Sequence, residues 1–125
     1  MPALYSDLLL DHFRHPRNYG SLAEPDVSNE KFNPLCGDRI RVELKLNQAT
    51  ITEARFKGDA CAISTAAASL LTELITGTPL EAVAALSDDQ LIAALESNIQ
   101  PARVQCALLP LEALRAGMKE RFKDS

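Results

Sequence analysis

A change of period constrains this chain more than any other feature. Ile40, Val42, Leu44 and Leu46 recur every second residue, with Arg39, Arg41, Glu43 and Lys45 between them. Alternation of this kind describes a strand with one face in the core and one in water. "NQAT" (47–50) reads as a tight turn, and "ITEARFKG" (51–58) returns as the partner strand. The apolar parity slips between Ile51 and Phe56, the mark of a β-bulge. From Cys61 the period lengthens: "AISTAAASLLTELITG" is an alanine- and leucine-rich helix that stops at Gly77, apolar on nearly every side. A hairpin followed at once by a helix of that kind must lay the helix on the sheet, with other elements covering the rest.

Those other elements are legible too. Leu4, Tyr5, Leu8, Leu9 and Phe13 fall at helical spacing, and Pro16 ends the run near Arg14. That stripe is core or a docking surface for a partner. A loop rich in proline, glycine and asparagine follows, with a short strand expected over 27–32. "TPLEAVAAL" and "SDDQLIAALES" read as short helices capped by Thr78 and Ser87, with Pro79 in a first turn. A final helix is expected from about Ala107 to Arg115 or beyond, Pro110 in its first turn. The class is therefore α+β: a small antiparallel sheet of about three strands, packed against an N-terminal helix and several C-terminal helices. With 125 residues and no internal linker, one domain over 1–125 is expected.

Composition removes several functions. A net charge of −4 is the wrong sign for tracking phosphates, so no nucleic-acid partner is expected. No apolar run approaches the ~20 residues that span a bilayer, so no membrane partner is expected either. The beginning carries Asp7 and Asp11 and no basic lead, unlike an export signal. The chain reads as cytoplasmic, where thiols stay reduced.

Against that background the three cysteines matter. Their odd number and wide spacing do not make a disulfide framework. Three unrelated buried thiols are one reading, since free cysteine packs like a small hydrophobe. The other reading is a single site. Cys36 lies in "NPLCGDRI", at the turn entering the first long strand; Cys61 follows the second strand and heads the long helix; Cys106 stands at the start of the last helix. A hairpin places the start of one strand beside the end of the next, so Cys36 and Cys61 meet at one sheet edge. Cys106 joins them if the final helix begins there. Helix N-termini favour thiolates at Cys61 and Cys106. Asp38 supplies a fourth ligand, with Gly37 letting the chain fold so that both side chains face one point. Three sulfurs and an oxygen suit tetrahedral zinc. The same set can hold an iron–sulfur cluster, left labile by its one hard donor.

Other chemistry-bearing residues are weighed beside these. Arg103, three before Cys106, either steadies sulfur charge or faces water. A thiol hydrolase would need a histidine against its cysteine; nothing places His12 or His15 there, and His12 is taken as structural. Gly58 allows the turn into Cys61, and Lys57 faces water.

"YSDLLLDHFRHPRNYG", "NPLCGDRI", "GDACAISTAAASLLTELITG" and "PARVQCALLPLEAL" together resemble the U-type iron–sulfur cluster assembly proteins (IscU, SufU and the N-terminal part of NifU), in order from Tyr5 to Leu114. The resemblance implies a scaffold that accepts persulfide sulfur from a pyridoxal-phosphate cysteine desulfurase and assembles a labile [2Fe–2S] cluster for apo iron–sulfur proteins or cluster carriers. It implies Cys36, Asp38, Cys61 and Cys106 as metal or cluster ligands and Cys36 as the persulfide acceptor. Two alternatives accompany it: a zinc-dependent sulfurtransferase of the SufU kind that carries no cluster, and a structural zinc protein. Gln105 replaces the histidine that IscU-type proteins carry before the third cysteine, and their Leu-Pro-Pro-Val-Lys chaperone motif is missing. "PAR" and "CAIS" look like SufU, although the interval from Cys61 to Cys106 is too short for the SufU insertion, and Ala60 replaces the usual glycine.

Overall fold

The computed structural model describes residues 5–121. The N-terminal helix α1 (Asp7–Arg14) is followed by three strands, β1 (Val27–Asn33), β2 (Asp38–Asn47) and β3 (Thr50–Lys57). Four helices complete the chain: α2 (Ala62–Ile75), α3 (Leu80–Ala84), α4 (Asp88–Ala94) and α5 (Val104–Arg121). The sheet runs in the order β1-β2-β3 with both pairs antiparallel. This is the expected α+β arrangement.

The period-two run of β2 buries Ile40, Val42 and Leu44 against α2 and α5, with Ile51, Ala54 and Phe56 of β3. The parity slip is a bulge: Lys45 pairs with Glu53 but Leu46 pairs with Ile51, which leaves Thr52 unmatched. The extra residue lets Ile51 and Ala54 both face the core although they are three apart. α2 packs on α1, α5 and β3 at once, which is why its sequence is apolar nearly all round. A second apolar cluster, containing Leu9, Ile63, Ala66, Leu70, Leu95 and Cys106, fills the space between α1, α2 and α5.

Three local expectations change. Pro110 lies inside α5, because the helix starts earlier than expected, at Val104, after a 3-10 turn at Pro101–Arg103. Thr78 does not cap α3: its hydroxyl donates to the Ile75 carbonyl, and the Leu80 N–H is taken by the Ala49 carbonyl at the β2–β3 turn. Pro79 therefore occupies the N-cap position. Ser87 does cap α4, in a reciprocal box with Gln90. On α1, Leu9 is buried, Leu8 is half-buried and Phe13 is exposed, while Tyr5, half-buried, precedes the helix; Leu4 lies outside the described residues.

Candidate metal centre

The loop joining β1 to β2 carries the first thiol. Asn33 closes it twice, its side-chain oxygen accepting from the Leu35 N–H at 3.0 Å and its carbonyl from the Gly37 N–H at 2.8 Å. Gly37, at φ 76°, reverses the chain without the strain a side chain would bring. Leu35 and Cys36 are left exposed, and Asp38, the first residue of β2, turns inward with only 4% of its surface accessible.

A second glycine brings the far end of the hairpin alongside. At Gly58 (φ 152°) a Cβ would stand 1.9 Å from the Arg39 carbonyl oxygen. No other residue lets the chain leaving β3 pass so close to the start of β2. The Arg39 N–H then bonds the Asp59 carbonyl at 2.9 Å, and Cys61 arrives at the N-cap of α2 with its own N–H donated to Asp38 Oδ1 at 2.9 Å. Cys106 comes from the first turn of α5 and is 2% exposed.

The donor atoms of Cys36, Asp38 and Cys106 lie within 4.8 Å of one another, and the Cys36 and Cys106 sulfurs are 3.4 Å apart. Cys61 stands beside this trio, its Sγ 3.7 Å from Ser64 Oγ. The donor set, soft sulfurs with one carboxylate oxygen, suits zinc or an iron–sulfur cluster, and the 3.4 Å between the Cys36 and Cys106 sulfurs is a separation that two ligands on one tetrahedral ion with bonds of ~2.3 Å take up.

Electrostatics differ from the expectation at Cys106. Its thiol is not eased toward thiolate; it is pushed up to about 12 by burial, by its hydrogen bond to Cys36, and by negative charge on Cys61, Cys36 and Asp38. Proximity to a helix start does not offset loss of water plus three acidic neighbours. A metal ion would have to displace that proton on binding. Burial also raises Asp38, but hydrogen bonds from Ser64, Cys36 and Cys61 outweigh it and hold the carboxyl below its usual range. The Arg103 guanidinium is held above its ordinary value, first by Cys106 and then by Cys61. Arg103 is exposed and lines the same cleft as Cys36 and Cys106. His12 lies elsewhere: its Nδ1 is 2.7 Å from Ser69 Oγ, and its Nε2 is 3.4 Å from Glu73.

Ser64 is the residue that sequence reasoning passed over. Its fully buried hydroxyl is 2.7 Å from Asp38 Oδ2 and 2.8 Å from the Cys106 carbonyl oxygen. That carbonyl is free because Pro110, four residues on, has no N–H to give it. One hydroxyl proton serves two acceptors, one on each of two residues of the trio, by turns. The signal was present: Ser64 is three residues after Cys61, on the same helix face, and Pro110 is four after Cys106.

Among the described residues no helix is long and apolar enough to cross a membrane. The sequence profile of the NifU-like N terminal domain matches residues 4–124. The zinc-dependent sulfurtransferase SufU of Bacillus subtilis is 36% identical, covering 94% of this chain and 91% of its own length. The iron–sulfur cluster assembly scaffold protein IscU of Azotobacter vinelandii is 35% identical, covering 93% of this chain and 92% of its own. The alignment with SufU runs 135 positions, longer than this chain of 125 residues, so SufU holds residues without a counterpart here. The crystal structure of a nitrogen-fixing NifU-like protein from Brucella abortus superposes with a TM-score of 0.80 at 19% identity, over 98% of this chain and 96% of that one, which establishes the shared fold. By profile, by sequence and by fold, the chain belongs to the NifU-like N-terminal domain family.

Proposed function

We propose that this chain, as one domain over 1–125, is an iron–sulfur cluster assembly scaffold and sulfur acceptor. In this reading Cys36 accepts sulfane sulfur from a pyridoxal-phosphate cysteine desulfurase. Cys36, Asp38, Cys61 and Cys106 hold the metal or the growing cluster, which passes to apo iron–sulfur proteins or cluster carriers. The carrying observation is the convergence of Cys36, Asp38 and Cys106 donors within 4.8 Å, with Cys61 beside them.

The residues divide the work by exposure. Cys36, on an exposed loop beside Leu35, is the thiol that a partner's persulfide can reach. Cys106 and Asp38 are buried and fixed, suited to holding a cargo in place. Asp38 is a hard donor among soft ones, which favours release over permanent retention. Arg103 offsets negative charge gathered on the sulfurs.

A second reading is a zinc-dependent sulfurtransferase, favoured by the likeness to SufU at 36% identity. Zinc, when bound, would keep the ligating sulfurs as thiolates. Zinc exceeds ferrous iron in affinity for such a site, so the metal found after purification does not decide between the readings. The deciding experiment adds a cysteine desulfurase and free cysteine, then iron under anaerobic conditions. Persulfide on Cys36 followed by a visible cluster supports the scaffold. Persulfide with faster desulfurase turnover and no cluster supports the sulfurtransferase. Neither response leaves a structural zinc protein.

A further inference from the structure

A scaffold that receives sulfane sulfur holds it in the wrong oxidation state, since a cluster is built from sulfide. We propose that Cys106 is a resolving thiol for Cys36: it displaces the sulfur carried on Cys36 as sulfide, and the two cysteines close into a disulfide. This rests on the reading that Cys36 is the sulfur acceptor.

The pair is built for such a step. Their sulfurs are 3.4 Å apart and Cys106 donates its S–H to Cys36 Sγ. Closing to a disulfide bond of ~2.05 Å takes a movement of little more than ~1 Å. Cys36 has the freedom to make it, on an exposed loop that turns on Gly37 at φ 76°. Cys106 is held in α5 at 2% exposure. Cys61 is not placed for the role: it falls outside the group of donor atoms within 4.8 Å that joins Cys36 to Cys106, and its Sγ engages Ser64 Oγ at 3.7 Å. A cleft of about 380 Å³ lined by Asn33, Leu35, Arg103 and Gln105 opens onto the pair and gives the product a way out.

The step balances without a further reactant. The bond between Cys36 Sγ and its terminal sulfur breaks, and a bond between Cys36 Sγ and Cys106 Sγ forms. Because a thiolate is the attacking species, the Cys106 proton passes to the terminal sulfur as Cys106 Sγ attacks Cys36 Sγ; the electron pair of the broken bond leaves on the terminal sulfur, which departs as hydrogen sulfide. The sulfane sulfur gains two electrons, one from each cysteine sulfur. Another round requires an external dithiol to reduce the disulfide.

The test loads the full chain with sulfane sulfur, from a small-molecule polysulfide and separately from a cysteine desulfurase with cysteine. A chelator is present and thiol reductants are removed before timing begins. Released sulfide is measured, and peptide mapping locates disulfides and persulfides. The wild-type chain is expected to release sulfide and accumulate a Cys36–Cys106 link. Cys106→Ala and Cys106→Ser should keep the Cys36 persulfide at least ~10-fold longer, a modest share of what intramolecular placement can supply. Mapping of the wild-type chain alone is informative if a variant folds poorly. Persulfide that forms on Cys36 and persists, with no link to Cys106, overturns the inference and leaves the acceptor reading standing. Persulfide that never forms on Cys36 from either source overturns both.

Discussion

Asp38 and Ser64 together set how firmly the site is held. Asp38 Oδ1 accepts the Cys61 N–H, and Oδ2 lies 2.7 Å from the Ser64 hydroxyl. The carboxylate thus fixes the position of Cys61 as well as offering itself as a ligand. Ser64→Ala removes the hydroxyl that lies near both Asp38 and the Cys106 carbonyl, and leaves a buried acceptor unpaired. It should destabilise the fold by about 1–3 kcal/mol, read from the denaturant midpoint, and loosen a bound metal, read from the rate of loss to a chelator. Full stability with unchanged metal release would remove Ser64 from the site. Asp38→Ala acts differently: in the proposed function the hard donor keeps a cargo labile. A reconstituted cluster should outlast that of the wild type; an equal or shorter lifetime by visible absorbance would count against this role.

At the scale of elements, the site depends on one backbone approach that only glycine permits, at Gly58, and on the positive-φ turn at Gly37. Gly58→Ala would drive a Cβ to 1.9 Å from the Arg39 carbonyl and force the β3–α2 connection away from β2. The Asp59–Arg39 and Cys61–Asp38 hydrogen bonds go with it, so a loss of about 3 kcal/mol or more is expected in chemical unfolding. A variant of wild-type stability would mean that the connection is not built as described. Elsewhere on the sheet, Glu43 ties the loop before β1 to β2, accepting from the Leu22 N–H at 2.8 Å and from Arg41 Nε at 3.0 Å. Burial raises its carboxyl, but those donors prevail and hold it below its ordinary 4.5. A depressed carboxyl stabilises the fold above that value and loses its contribution as the pH falls through the folded value. Glu43→Gln should therefore flatten the loss of stability on the acid side below about pH 4.5, in a series of urea midpoints. The alternation of β2 announced its buried face but not this residue, since Glu43 lies on the polar face and is buried by a loop with no periodic pattern. Pro110 was likewise misjudged from sequence, because its tolerance inside α5 depends on a hydroxyl from another helix.

Over the whole molecule, four residues spread from 36 to 106 reach one corner of the fold. The hairpin made the meeting of Cys36, Asp38 and Cys61 legible, because antiparallel strands return to where they began. Cys106 was a weaker inference, resting on where a helix would start, and its protonation state was misread because burial depends on packing that no local pattern reveals. The most direct test of the account is cobalt(II) binding to the full chain and to Cys36→Ala, Cys61→Ala, Cys106→Ala and Asp38→Ala, followed by absorption spectroscopy. One tetrahedral cobalt per chain is predicted, with sulfur-to-metal charge transfer that falls for every cysteine variant and persists, at weakened affinity, without Asp38. Wild-type charge transfer in any of the three cysteine variants would contradict it.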